Sequence, residues 1–188
     1  MPGLTPKPSR RRSAAPLAVL LAAALLRPAS VSADTPLELA VKATYLYKFA
    51  PFVDWPVGAL GPPRSPFTIC VVGDDPFGQI LDTAVAGQRI EDRPVVVRRM
   101  PLADAASGCA IAYVAGSRKQ TVAAALRLLS NAPVLTVTDG ASTPGIVDFA
   151  IDEGRVRFRF DLRAATDHGL TVRSQLLGLA LSVTNRSH

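Results

Sequence analysis

Residues 67–78 read FTICVVGDDPFG, and no other block constrains the fold as strongly. Phe67, Thr68, Ile69, Cys70, Val71 and Val72 form an uncharged, largely apolar run that stops at Gly73-Asp74-Asp75-Pro76. A short apolar run bounded by turn residues, with an apolar periodic segment behind it, predicts a buried strand, a tight turn and a helix. Asp75 is the expected N-cap of that helix, with Pro76 in the first turn, where its missing N–H is harmless. Glycines at such a turn also raise the question of a phosphate site. The spacing is G-x-x-x-x-G without Gly-Lys-Ser/Thr, and G-x-G-x-x-G is absent, so neither phosphate motif is present. Asp74 and Asp75 would stand against the incoming anion at the helix N-terminus, so capping is the expected role.

The first 33 residues have a different character. Lys7, Arg10, Arg11 and Arg12 precede an apolar run over residues 14–26, and Val31-Ser32-Ala33 supplies small side chains before Asp34. This pattern predicts a secretory signal peptide cut after Ala33, leaving residues 34–188 as a single domain in the periplasm; the apolar run is too short to span a bilayer comfortably. The leader holds five basic residues and no acidic one, so the rest carries 16 basic against 15 acidic side chains. The basic balance of the whole chain therefore belongs to the leader, which removes the charge argument for a nucleic-acid partner. Nor is the processed chain expected to span a membrane. Its two cysteines, Cys70 and Cys109, favour a disulfide in an oxidising compartment over two buried thiols.

Alternating strand and helix signals fill the middle of the chain. Residues 36–56 predict a helix entered through Thr35 and Pro36, supported by a Glu38–Lys42 pair and ended or bent by Pro51. Its apolar surface is wide, and Tyr45, Tyr47, Phe49, Phe52 and Trp55 are the candidate partner or dimer surface, against the plainer reading of a broadly buried helix. Residues 76–86 predict a short helix and residues 94–99 and 109–115 strands. Residues 117–130 predict a helix opened by a Ser117/Gln120 capping box, and residues 133–138 a further strand. Val147, Phe149 and Ile151 alternate, as do Val156, Phe158 and Phe160, around Asp152-Glu153-Gly154, which predicts a β-hairpin with Arg155, Arg157 and Arg159 outward. Asp161 is placed to cap a helix ending at Gly169, and Leu176, Leu177, Ala180 and Val183 mark a closing amphipathic helix. The expected fold is an α/β sandwich: a mixed, mainly parallel central sheet, helices on both faces and a late antiparallel hairpin.

The blocks VKATYLYKFAPFVDWP, ICVVGDDPFG, CAIAYVAGS, VLTVTD and GRVRFRFDLRAATDHGLTVRSQLLGLA, in that order, resemble the YfiR family of exported proteins. The resemblance covers nearly all of the chain after the leader. It implies a periplasmic repressor that binds the periplasmic sensing domain of an inner-membrane diguanylate cyclase and restrains it, lowering cyclic-di-GMP and biofilm formation. It also implies a homodimer and relief of repression through an outer-membrane lipoprotein; no cofactor is expected. Cys70 and Cys109 stand where that family has a disulfide; a second family disulfide near the hairpin has no counterpart, since no further cysteine exists.

Other function classes leave weaker marks. A small-ligand sensor, taking an aromatic metabolite or nucleotide near Trp55 and Tyr47 and serving another membrane sensor or receptor, is the alternative. An enzyme is not expected: His168 and His188 are the only histidines and neither has metal-ligand spacing, while Ser117 lacks the G-x-S-x-G setting of a nucleophile.

Overall fold

The computed structural model describes Gly3 and residues 34–185. The expected signal peptide thus lies outside the described residues. Helix α1, Pro36–Lys48, opens with a capping box in which the Thr35 hydroxyl accepts from the Glu38 N–H and the Glu38 carboxylate accepts from the Thr35 N–H. Glu38 is therefore spent on the cap, and Lys42 points inward, so the expected surface pair between them does not form. A 3-10 turn at Ala50–Phe52 carries Pro51 and leads into β1, Val53–Asp54.

The sequence then builds β2 (Phe67–Gly73), α2 (Gln79–Val85), β3 (Arg89–Ile90), β4 (Arg93–Met100), β5 (Ile111–Gly116), α3 (Val122–Leu129) and β6 (Leu135–Asp139). It closes with β7 (Val147–Asp152), β8 (Arg155–Asp161), α4 (Leu162–Asp167), β9 (Thr171–Val172), α5 (Ser174–Leu177) and β10 (Ser182–Thr184). Eight strands form one mixed sheet in the order β10-β8-β7-β6-β5-β2-β4-β3, while β1 and β9 pair separately. The pairings β4-β2-β5-β6-β7 and β8-β10 are parallel, and β7-β8 and β3-β4 are antiparallel. This is the α/β sandwich expected from the alternation of elements.

Strand β2 lies near the middle of the sheet, and its alternation divides the core. Phe67, Ile69 and Val71 join the larger cluster with α1 and α2, whereas Cys70 and Val72 join the smaller one with Ala125 and Leu129 of α3. Past the strand, Gly73 and Gly116 touch backbone to backbone. A Cβ on Gly73 would sit 2.2 Å from the Gly116 carbonyl oxygen, and the Asp74 N–H donates to that same oxygen at 2.8 Å. Asp75 accepts from the Phe77 N–H and from Arg99, whose guanidinium also grips Asp82. The turn is thus occupied by its own chain.

Several boundaries depart from expectation. Helix α2 begins three residues late, behind Gly78, because Asp75 caps an Asx turn rather than the helix itself. Thr121 caps α3, while the Gln120 side chain leaves to accept from the Ala103 N–H, so Ser117 and Gln120 form no capping box. The closing amphipathic helix is only the four residues of α5; Ser182–Thr184 instead lie parallel to β8. Helix α4 serves as the crossover of that β8-α4-β10 unit, capped by Asp161 as the sequence indicates. Ile151 of the hairpin is exposed, whereas Phe149, Phe158 and Phe160 are buried.

His168 ends α4 with its Nδ1 2.9 Å from the Ala132 carbonyl oxygen. Burial lowers its pKa, outweighing the carbonyl contacts that would raise it. A depressed folded-state pKa contributes stability that is present above the unfolded value of about 6.5 and lost as pH falls through the folded one. Urea unfolding midpoints should accordingly fall on acidification from pH 7, and His168→Asn should flatten that slope. An unchanged slope would remove this role.

Candidate functional site

The β1-β9 pair is two residues long, yet it shapes a sizeable groove. Val53 pairs with Val172 and Asp54 with Thr171, and the Arg173 N–H donates to the Phe52 carbonyl. Arg173 then reaches Asp54 at 3.1 Å with both side chains about half exposed. Trp55 follows, half-buried, with its ring edge-on to Phe67 at 5.3 Å and its indole N–H donating to the Ala110 carbonyl at 3.2 Å. Across from it the Arg93 guanidinium donates to the carbonyls of Leu60, Pro62, Ser65 and Gly61, so one side chain holds the 57–66 loop in place. Arg89, Glu91 and Ile90 complete a wall.

The resulting groove has a volume of about 470 Å³. Three arginines and two carboxylates, Asp54 and Glu91, line it around one indole, giving a net positive, aromatic cleft. Its chemistry suits a planar aromatic group carrying negative charge at its rim, with the ring against the indole and charge-assisted hydrogen bonds to guanidinium. Arg93→Ala is expected to lower stability by about 2 kcal/mol through lost charge-assisted bonds and to speed proteolysis within the loop. A wild-type cleavage pattern would disprove the clamp.

A second concentration of charge lies where β5 and β6 end. Lys42 of α1 is 1% exposed, with its Nζ 2.5 Å from the Asp139 carboxylate and 2.9 Å from that of Asp34. Burial works to lower the Lys42 pKa, but hydrogen bonds and charge from Asp139 and Asp34 prevail and raise it. Asp139 is itself pushed up, chiefly by burial and further by Asp34 and Asp148, with Lys42 pulling it back. Tyr113 of β5 is also pushed upward, by burial first and then by Asp139 and Asp34, so its phenol stays protonated. Neither Lys42 nor Asp139 was expected to be special from the sequence. The one signal was a lysine in the middle of an otherwise apolar helix surface.

The five aromatic residues expected to form a surface do not share one. Tyr45 stacks on Phe49 at 5.6 Å, and both rings meet Phe149 and Phe158 of the hairpin. Phe49 is 1% exposed, so it belongs to the core; a helix lying across the sheet turns that position downward. Tyr47 is buried with Lys48 over its ring, and Phe52 is half-buried against the core. Of the five, Trp55 alone lines the groove, and Tyr47 lies outside it. Cys70 and Cys109 form a disulfide with Cα atoms 5.7 Å apart, joining β2 to the entry of β5.

A family model described as YfiR/HmsC-like matches residues 39–181. The chain belongs to the YfiR/HmsC-like family. The matched span contains Lys42, Trp55, both cysteines, Asp139 and Arg173, and it ends just short of β10. No curated protein matches the chain. The YfiR/HmsC-like family is a regulatory, non-catalytic and periplasmic one, linked to diguanylate cyclase signalling. Among the described residues, no group of three or more His, Cys, Asp or Glu is placed to hold a metal ion, and no helix is long and apolar enough to cross a membrane.

Proposed function

We propose that this chain is an exported signalling regulator that binds the periplasmic sensing domain of an inner-membrane diguanylate cyclase and restrains it, lowering cyclic-di-GMP output. The observation that carries this reading is the family match over residues 39–181, which takes in nearly every element of the domain. Homodimer formation and relief by an outer-membrane lipoprotein belong to the same proposal. Residues 1–33 act as its signal peptide and residues 34–188 as its one domain. The processed chain should be captured by the periplasmic domain of a cyclase from the same cell, and its deletion should raise cyclic-di-GMP several-fold. Absence of both a complex and a change in cyclic-di-GMP would sink the proposal.

The groove favours a second reading, in which the domain reports a small aromatic anion, such as a metabolite or nucleotide, to a membrane sensor or receptor. Trp55 is the only tryptophan, so its fluorescence is a direct probe. Titration with aromatic acids and nucleotides should quench or shift that emission, and Arg173→Ala should weaken the response about tenfold, the loss of one charge-assisted contact. A flat response across such a panel, beside capture of the cyclase domain, leaves the first reading alone.

A further inference from the structure

Asp34 stands directly behind the expected cut, one residue before the Thr35 cap, and its carboxylate is 2.9 Å from the buried Lys42 Nζ. The charges around that lysine do not balance. Lys42 brings one positive charge against Asp34 and Asp139, and Glu38, bonded to the Thr35 N–H at 3.0 Å, adds a further negative charge beside the same backbone. From the neighbouring elements, Tyr113 on β5 brings a neutral phenol. Asp148 on β7 is bonded to Thr138 and Arg159, and Asp75 after β2 to Arg99. The positive end of the α1 dipole amounts to only about half a charge. By count, the groups bonded to Lys42 and to the Thr35 N–H, next along the backbone from Asp34, therefore carry more negative than positive charge.

We infer that cleavage after Ala33 completes this cluster: the α-ammonium left on Asp34 supplies the missing positive charge, so the processed chain is more stable than its precursor. In the precursor that nitrogen is an amide and carries no charge. The inference rests on the signal-peptide reading and extends it, because the fold then gains its last ionic contact only after the chain has crossed the membrane. A chain that must cross unfolded benefits from a precursor that folds less stably.

The amine's pKa in the folded chain should stand above its unfolded value. The stabilisation is then fully present below an unfolded pKa of about 8 and lost as pH rises through the folded one. A shift of about one unit corresponds to about a tenfold change in the folding equilibrium constant. The test first reads the N-terminus of the exported protein by mass. It then compares urea unfolding of the chain starting at Asp34, the same chain with its α-amine acetylated, and the chain keeping Ser32-Ala33 with an acetylated end. Both blocked chains should unfold with about tenfold larger unfolding constants at pH 7, and the gap should close near pH 10. In Asp139→Asn the gap should shrink. An uncut N-terminus would overturn the signal-peptide reading and this inference together, and a cut at another residue would overturn this inference. An N-terminus at Asp34 with all three chains unfolding alike from pH 6 to pH 10 would overturn the inference alone.

Discussion

Lys42→Met is expected to cost the fold about 3–5 kcal/mol at neutral pH, the range for removing one partner of a buried ion pair. The lysine is 1% exposed and sits between two carboxylates, so its removal leaves Asp34 and Asp139 as neighbouring like charges with no cation between them. Burial and Asp34 already push the Asp139 pKa up, and Lys42 holds it down. Without the lysine, Asp139 rises further. A raised folded-state pKa means that the carboxyl's contribution is fully present below its unfolded value, about 3.9, and lost as pH increases through the folded one. The deficit of Lys42→Met should therefore be greatest near pH 7 and shrink towards pH 4, measured by urea unfolding at each pH. Lys42→Met combined with Asp139→Leu should recover part of the loss, since a buried pair replaced by apolar groups often costs little. A loss under about 1 kcal/mol at pH 7 would show that the cluster is solvated and weak.

How much of this was legible in the sequence depends on the range of the interactions involved. Strand β2, the hairpin and the Asp161 cap are written locally: in an apolar run, in alternation around Glu153-Gly154, and in a carboxylate three residues before the N–H that it accepts from. Glu153 and Gly154 both take positive φ, which the two-residue turn between Asp152 and Arg155 requires. Failures came where a distant residue outbid a local one. Gln120 had the right spacing for a capping box but accepts from Ala103 instead, and Lys42 had the right spacing for Glu38 but reaches Asp139, 97 residues away. Residues 174–184 have helical periodicity, yet Ser182–Thr184 align with β8, because a parallel partner is available there only once α4 has crossed over.

The candidate site was legible in its aromatic anchor and not in its charges. Trp55 stood out as the only tryptophan, whereas Arg89, Arg93 and Arg173 lie up to 84 residues apart in sequence and converge through the β1-β9 pair and the Arg93 clamp. Composition does not reveal such convergence, since arginines spread along a chain read as solvated surface. Phe49 follows the plainer reading of its helix, a broadly buried one. A wide apolar helix surface looks like an interface until a second layer, here Phe149 and Phe158, is known to cover it.

Loss of the disulfide, through Cys70→Ser with Cys109→Ser, is expected to lower stability by about 4 kcal/mol, from the chain entropy released when a loop of this length opens. The bond spans 39 residues of sequence separation and draws β2 and the entry of β5 together. Cys70 is 0% and Cys109 6% exposed, so a reductant has little access to the folded chain, and reduction should proceed at the rate of opening rather than of thiol attack. The effect reaches the groove through one residue: Ala110, next to Cys109, accepts both the Trp55 indole N–H and the Leu135 N–H at its carbonyl. Freeing Cys109 loosens the backbone against which Trp55 is fixed. Reduction should therefore shift the Trp55 emission before global unfolding, and the double serine variant should show that shifted emission at rest, together with a lower urea midpoint. If the variant keeps the wild-type emission and loses under about 1 kcal/mol, the bond is a passive staple and the groove does not depend on it.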